Sequence, residues 1–191
     1  MQELHDSDII QQVIQGNTNA FNIILERYGS KVYSLCFRLT NNETDAQDLT
    51  QNVFIKAFKN LNQFRFKSSL MTWFHSIAVH DWINIYRRRK ILRFFSLDRK
   101  IDTDEAEISL EIKDTTMDVE NHVEKQAAES RIQKLLAELE PEYRTVIILR
   151  FVEDKSYEEI AAICGCNVGT VGSRLSRGIE ALRKKLGKSG C

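Results

Sequence analysis

The chain has 191 residues and carries 27 Lys+Arg against 27 Asp+Glu, a formal net charge of zero. That length supports one or two domains, and a hydrophobic share of 42% excludes wholesale disorder. One Pro and eight Gly are too few turn-formers for a many-stranded sandwich or barrel, so the expectation is an all-α fold.

In chain order, Ile9, Ile10, Val13 and Ile14 form a first apolar stripe. Phe21, Ile24, Leu25, Tyr28, Val32, Leu35, Cys36 and Leu39 continue helical spacing through a second helix, with Asn17 and Thr18 as candidate caps. After the polar break Thr40–Thr44, a third helix places Ala46, Leu49, Val53, Phe54, Ala57, Phe58 and Leu61 on one side. Its other side shows Asp45, Asp48, Gln51, Asn52 and Lys56. The loop Asn62–Ser69 holds Phe64 and Phe66 beside Arg65 and Lys67. Ser68 or Ser69 caps a fourth helix that runs through Trp73, Phe74, Ile77, Ala78 and Ile85 into Arg87-Arg88-Arg89-Lys90.

Residues 96–125 lose periodicity and read as a flexible acidic linker. Periodicity returns at Ile132, Leu135, Leu136 and Leu139, and Pro141 fits the first position of the next helix. Ser156 and Glu159 have capping-box spacing, Gly165 suits a helix end, and Asn167 suits the next helix start. The last helix carries Val168, Val171, Leu175, Ile179, Leu182 and Leu186 as its stripe. The domains expected are therefore 1–95 and 126–191, joined by the linker 96–125.

Neutrality conceals segregation. The net charge is −4 over residues 1–50, +8 over 51–94, −6 over 95–125 and +2 over 126–191. Within the last block, residues 167–191 carry +5. Charge blocks usually mark solvated faces, but basic segments interleaved with aromatics suit nucleic acid, where phosphate attraction and base stacking act together.

Three constellations carry chemistry. From Tyr157 to Leu186, two helices joined by Cys164-Gly165-Cys166-Asn167, with small Ala161 at the crossing, read as a helix-turn-helix. Thr170, Ser173, Arg174, Arg177 and Lys184 lie opposite the stripe of its second helix, where such side chains reach bases or phosphates of duplex DNA. The bland alternative is an αα-hairpin with a solvated basic face. In the block 64–90, Phe64, Phe66 and Trp73 could stack on unpaired bases or belong to the core, whereas Phe74 and Ile77 read as core. Arg87–Lys90 could contact DNA or simply end a helix favourably. The face Asp45, Asp48, Gln51, Asn52 is either solvated or a dock for a basic protein helix.

Together these segments resemble an extracytoplasmic-function (group IV) sigma factor of bacterial RNA polymerase. The resemblance rests on DAQDLTQNVF (45–54), FRFKSSLMTWF (64–74), IA (77–78), YRRR (86–89), LEPEYR (139–144) and EIAAICGCNVGTVGSRLSRG (159–178), in order. It implies an all-α chain with sigma region 2 at 1–95 and sigma region 4 at 126–191. Asp45, Asp48, Gln51 and Asn52 would face the polymerase clamp coiled coil. Phe64, Arg65, Phe66, Lys67, Ser68 and Trp73, with His80, Asn84, Arg87, Arg88 and Arg89 on the following helix, would open and read the minus-ten element as single strand. Thr170, Ser173, Arg174, Arg177 and Lys184 would read the minus-thirty-five element. The linker would enter polymerase channels near the active site. Four positions depart from the family pattern: His80 and Asn84 stand where Asn and Asp are frequent, Gly172 where Lys is common, and Asn52 where Glu or Asp is frequent.

The implied partners are core RNA polymerase, promoter DNA both duplex and single-stranded, and an anti-sigma factor. No catalytic residue, cofactor or metal site is expected. Cys164 and Cys166 lack two further zinc ligands, and His75 and His80 do not share a helical face. No apolar run approaches the roughly 20 residues of a membrane span, and the acidic start is no signal peptide, so a cytoplasmic protein without membrane insertion is expected. The competing reading is a helix-turn-helix regulator acting without polymerase docking.

Overall fold

The computed structural model describes residues 4–97 and 130–188, and these are helical throughout apart from short connections. Helix α1 (Asp6–Ile14) buries Ile9, Ile10 and Val13. Its first residue is also its anchor. The Asp6 carboxylate accepts from Arg27 at 2.5 Å and from the Tyr28 hydroxyl at 2.5 Å, tying α1 to α2 (Phe21–Thr40). Burial, with Asp6 beside it, pushes the Tyr28 hydroxyl pKa up to about 12. A 3-10 turn, Thr18–Ala20, leads into α2, so neither expected cap is used: Asn17 makes no side-chain cap bond, and α2 starts at Phe21 without a side-chain cap, beyond Thr18.

Helix α2 stops at Asn41, whose φ of 55° is left-handed, and Asn42 starts α3 (Glu43–Lys59) by accepting from the Asp45 N–H at 2.9 Å. Acidic Glu43 and Asp45 open α3, and basic Lys56 and Lys59 close it, both in the sense the helix dipole favours. Ala46, Leu49, Val53, Phe54 and Ala57 are buried. Of the two candidate caps for α4 (Leu70–Leu97), Ser69 is the one used, accepting from the Thr72 N–H at 3.1 Å. Helix α4 runs two residues into the segment expected to be linker; residues 98–125 of that segment lie outside the described residues. Phe74 is fully buried, edge-on to both Tyr28 and Phe54.

The C-terminal half comprises helical residues 130–137 (α5), α6 (Pro141–Phe151), α7 (Tyr157–Cys164) and α8 (Val168–Lys188). Pro141 stands in the first turn of α6, Ser156 and Glu159 form a reciprocal capping box, and Gly165 ends α7 at φ 62°. Asn167 starts α8 by accepting from the Thr170 N–H at 2.7 Å. Residues Arg144 to Leu149 are buried without interruption. A helix buried all round must be covered on more than one side. Here α8 and α7 cover part of α6, and α2 and α4 cover another part.

The two helical domains expected from the sequence pack against each other, with α7 lying on α4. Arg144 is the centre of this junction at 4% exposure. It donates to the Leu39 carbonyl oxygen at 2.6 Å, to the Ala137 carbonyl, and to the Leu139 carbonyl at 3.4 Å. Its guanidinium lies 5.3 Å from the centre of the Trp82 ring. Gln133 donates to the carbonyls of Phe37 and Arg38 at 3.2 and 3.0 Å. Both side chains thus satisfy carbonyls in the last turn of α2, which have few partners within their own helix. Buried His75 sits 3.3 Å from Glu153, again across the junction.

Replacing Arg144 by Ala removes these donors and the contact with Trp82. The expected cost is about 3 kcal/mol of stability, read by thermal or urea unfolding. An unfolding midpoint equal to the unaltered chain's would show that the junction contributes nothing.

Candidate polymerase and promoter interfaces

Three surfaces hold the residues singled out by sequence. On α3, Asp48, Gln51 and Asn52 are exposed, and Asp45 is half-buried. Gln51 also borders an open apolar groove of about 380 Å³ formed by Phe21, Leu25, Phe54, Ile55 and Phe58. Leu25 and Phe58, expected in the core stripe, instead leave 37% and 41% of their surface in solvent at this groove. The reason is geometric: nothing among the described residues packs over this side of the α2–α3 pair.

The loop before α4 forms the second surface. Phe64 lies 4.9 Å from Phe66 and 5.2 Å from Trp73, centre to centre. Phe64 and Trp73 are half-buried, so they are shared between core and surface. Phe66 is 53% exposed, and its φ of 55° lies in the left-handed region, costly for a bulky side chain. Arg65, Lys67 and Ser68 beside it are exposed, as are His80, Asn84, Arg87, Arg88 and Arg89 along α4.

Arg89 is not free on this surface. Both its terminal nitrogens donate to the Asp45 carboxylate, at 2.6 and 2.7 Å. Arg89 holds the Asp45 carboxyl below the usual carboxylate range, and Asp45 raises Arg89 in turn. The contribution of the pair to stability is therefore fully present above the unfolded-state value of Asp45. It is lost as pH falls through the lowered folded value. A second pair, Lys56 to Asp81 at 2.5 Å, joins the same two helices. Asp81 is the single acidic residue in the +8 block, a sequence signal that marks it for a partner.

The third surface is the helix-turn-helix. Ile160, Val171 and Leu175 are buried between α7 and α8, and Ala161 is 8% exposed where the helices meet. Cys164 is likewise part of this packing, and burial pushes its thiol up to about 12. Ser173, Arg177 and Lys184 are exposed along α8, and Thr170 is half-buried with its hydroxyl donating to Asn167. Lys184 pairs with Glu180 at 2.7 Å. Arg174 is half-buried and pairs with Glu142 of α6 at 2.8 Å. The turn after α7 also approaches α4: a Cβ at Gly165 would stand 3.6 Å from the His80 ring.

The Arg174–Glu142 pair is partly exposed, so Glu142→Gln should cost under about 1 kcal/mol of stability. Thermal unfolding checks this; a larger loss would mean that the pair holds α8 on α6.

Two family models match the chain: "Sigma-70 region 2" over residues 24–91 and "Sigma-70, region 4" over residues 129–182. The ECF RNA polymerase sigma factor SigW of Bacillus subtilis (strain 168) is 35% identical over 178 residues, covering 93% of this chain and 94% of that protein. The ECF RNA polymerase sigma-E factor of Escherichia coli (strain K12) is 36% identical over 188 residues, covering 97% of this chain and 96% of its relative. Among solved structures, the sigma factor RpoE of Bartonella quintana, crystallised with the anti-sigma factor NepR, superposes with a TM-score of 0.64 at 26% identity. That match covers 87% of this chain and 96% of the other. CnrH, solved with the cytosolic domain of CnrY, shares the fold with a TM-score of 0.64, at 22% identity over 96% of this chain and 97% of that chain. Helical halves matching region 2 and region 4, and full-length relatives above 30% identity, place this chain in the extracytoplasmic-function family of RNA polymerase sigma factors.

Proposed function

We propose that the chain joins bacterial core RNA polymerase and directs it to promoters through the three surfaces described above. The observation that carries this reading is Phe66. It is exposed and held in a left-handed conformation beside Phe64, Trp73 and a row of cations. An exposed strained aromatic next to Arg65 and Lys67 is suited to catching unstacked bases, with stacking contributing roughly 1–3 kcal/mol per base. A helix-turn-helix regulator acting on duplex DNA alone has no use for such a loop.

In this reading Asp48, Gln51 and Asn52 meet a basic helix of the polymerase, and the apolar groove beside Gln51 gives that contact a dry component. His80, Asn84, Arg87 and Arg88 extend the single-strand path from the aromatic loop along α4. Ser173, Arg177 and Lys184, with Thr170 at the helix start, face the major groove of the upstream element. Arg174 joins them after releasing Glu142. The two surfaces act on one promoter, the upstream one on duplex and the loop on the melted strand. The chain performs no chemistry of its own; it is a specificity subunit acting in the cytoplasm. No described helix is long and apolar enough to cross a membrane. An anti-sigma factor is the proposed regulator, as for the structurally similar RpoE.

Run-off transcription tests the reading. Core polymerase and a promoter library randomised at both elements are incubated with and without the chain. Transcripts that depend on the chain are expected; equal yield from core alone would sink the proposal. Phe66→Gly should leave fold stability within about 1 kcal/mol, since relief of left-handed strain offsets added chain entropy. Affinity for the melted strand should fall by roughly 1–3 kcal/mol, measured with a fluorescent oligonucleotide and the reconstituted holoenzyme. Arg174→Ala should cost a similar amount, about 1–3 kcal/mol, at the upstream duplex. Binding there that does not change would remove Arg174 from the reading set.

A further inference from the structure

Helices α3 and α4 run antiparallel, and two ion pairs tie them. Asp45 and Lys56 are eleven residues apart on α3, three helical turns, so they share a face. Asp45 receives both terminal nitrogens of Arg89, and Lys56 meets Asp81. The polarity of the pairs alternates: the acid is on α3 in one and on α4 in the other. That alternation disfavours sliding, because a shift in register would bring like charges together.

The Asp45–Arg89 pair has a distinct position. Among the described side chains of α4 the last buried one is Trp82, and from Arg87 to Leu92 they are exposed. Few apolar contacts hold this stretch, yet it carries Arg87 and Arg88. The one two-pronged contact from this stretch to α3, among the described residues, is Arg89 on Asp45. A fork-to-carboxylate bond fixes direction as well as distance, which a single lysine contact does not. With its terminal nitrogens engaged, Arg89 is poorly placed to serve a phosphate. The Asp45 carboxylate is equally committed.

We propose that Asp45 and Arg89 act as a positioning pair, fixing the promoter-facing end of α4 to the polymerase-docking helix α3. The pair links the two surfaces: α3 is held by polymerase, and Arg89 sets where Arg87 and Arg88 then stand. This rests on the reading of α3 and α4 given above.

The test uses reconstituted holoenzyme and a chain-dependent promoter recovered from the library. Four variants are compared with the unaltered chain: Asp45→Ala, Arg89→Ala, both together, and the exchange Asp45→Arg with Arg89→Asp. Promoter opening, core affinity and the salt dependence of promoter binding are each measured. Each single variant should lower opening by roughly tenfold, and the double variant should be no worse than either. The exchange should recover most of the loss, which a purely local contact of either residue could not. Core affinity should change by less than threefold in Arg89→Ala. The salt slope of Arg89→Ala should match that of Asp45→Ala.

Additive losses, or an exchange no better than the single variants, would overturn the pair. A loss of core affinity in Asp45→Ala alone would instead make Asp45 a direct polymerase contact. A salt slope lower by about one in Arg89→Ala alone would make Arg89 a phosphate contact. If the unaltered chain drives no transcription, the sigma reading falls and the proposal falls with it. If it does and the exchange fails, only the pair is lost.

Discussion

Much of this structure depends on one buried cation. Arg144 belongs to α6, the helix that both halves cover, and it carries a full charge at 4% exposure. Burial lowers its pKa, with the nearby Tyr86 opposing that shift. No carboxylate neutralises it among the described residues. Backbone carbonyls of Leu39, Ala137 and Leu139 accept hydrogen bonds from it, and the Trp82 ring covers its face. The last turn of α2 presents the negative end of a helix dipole, so the cation and the helix end stabilise each other. A group that costly to desolvate is tolerated only when its partners are fixed in place. Fixing them requires α2, α4 and α6 to meet.

That meeting has consequences for the surface proposed to face the promoter. α7 lies on α4, and the turn after α7 comes close to His80. The helix assigned to the melted strand and the helix pair assigned to the duplex are neighbours in this arrangement. Polar groups of Arg144, Gln133, His75 and Glu153 sit in this junction beside the apolar core that the two halves share.

The charge pattern acquires a structural sense from the same contacts. The −4 block and the +8 block are not only addressed to outside partners; they also meet each other. Asp45 from the first takes Arg89 from the second, while Asp81, the lone acid of the basic block, takes Lys56. Segregated charge along the chain thus becomes an orienting device between adjacent helices. Arg87 and Arg88 on α4 and Asp48 on α3, which take part in neither pair, are exposed on the surface.

Most of the local structure was legible in the sequence because its causes are local. The capping box at Ser156, the turn at Gly165, the cap at Asn167, Pro141 at its helix start and the alternation of buried stripes each depend on residues a few positions apart. The helix-turn-helix and the family resemblance followed from those elements in order. What sequence reasoning missed lies at long separation. The left-handed Phe66 and the partial exposure of Leu25 and Phe58 depend on what the neighbouring helices cover. The Arg89–Asp45 pair spans 44 positions and the Arg144–Leu39 bond spans 105. Helical periodicity tells which side of a helix is apolar, but not which other helix will lie there. The sequence by itself determined the helices, their ends and the family. Only the tertiary structure decided that the halves share a core and which charges face each other, because those contacts depend on the docking of helices far apart in the chain.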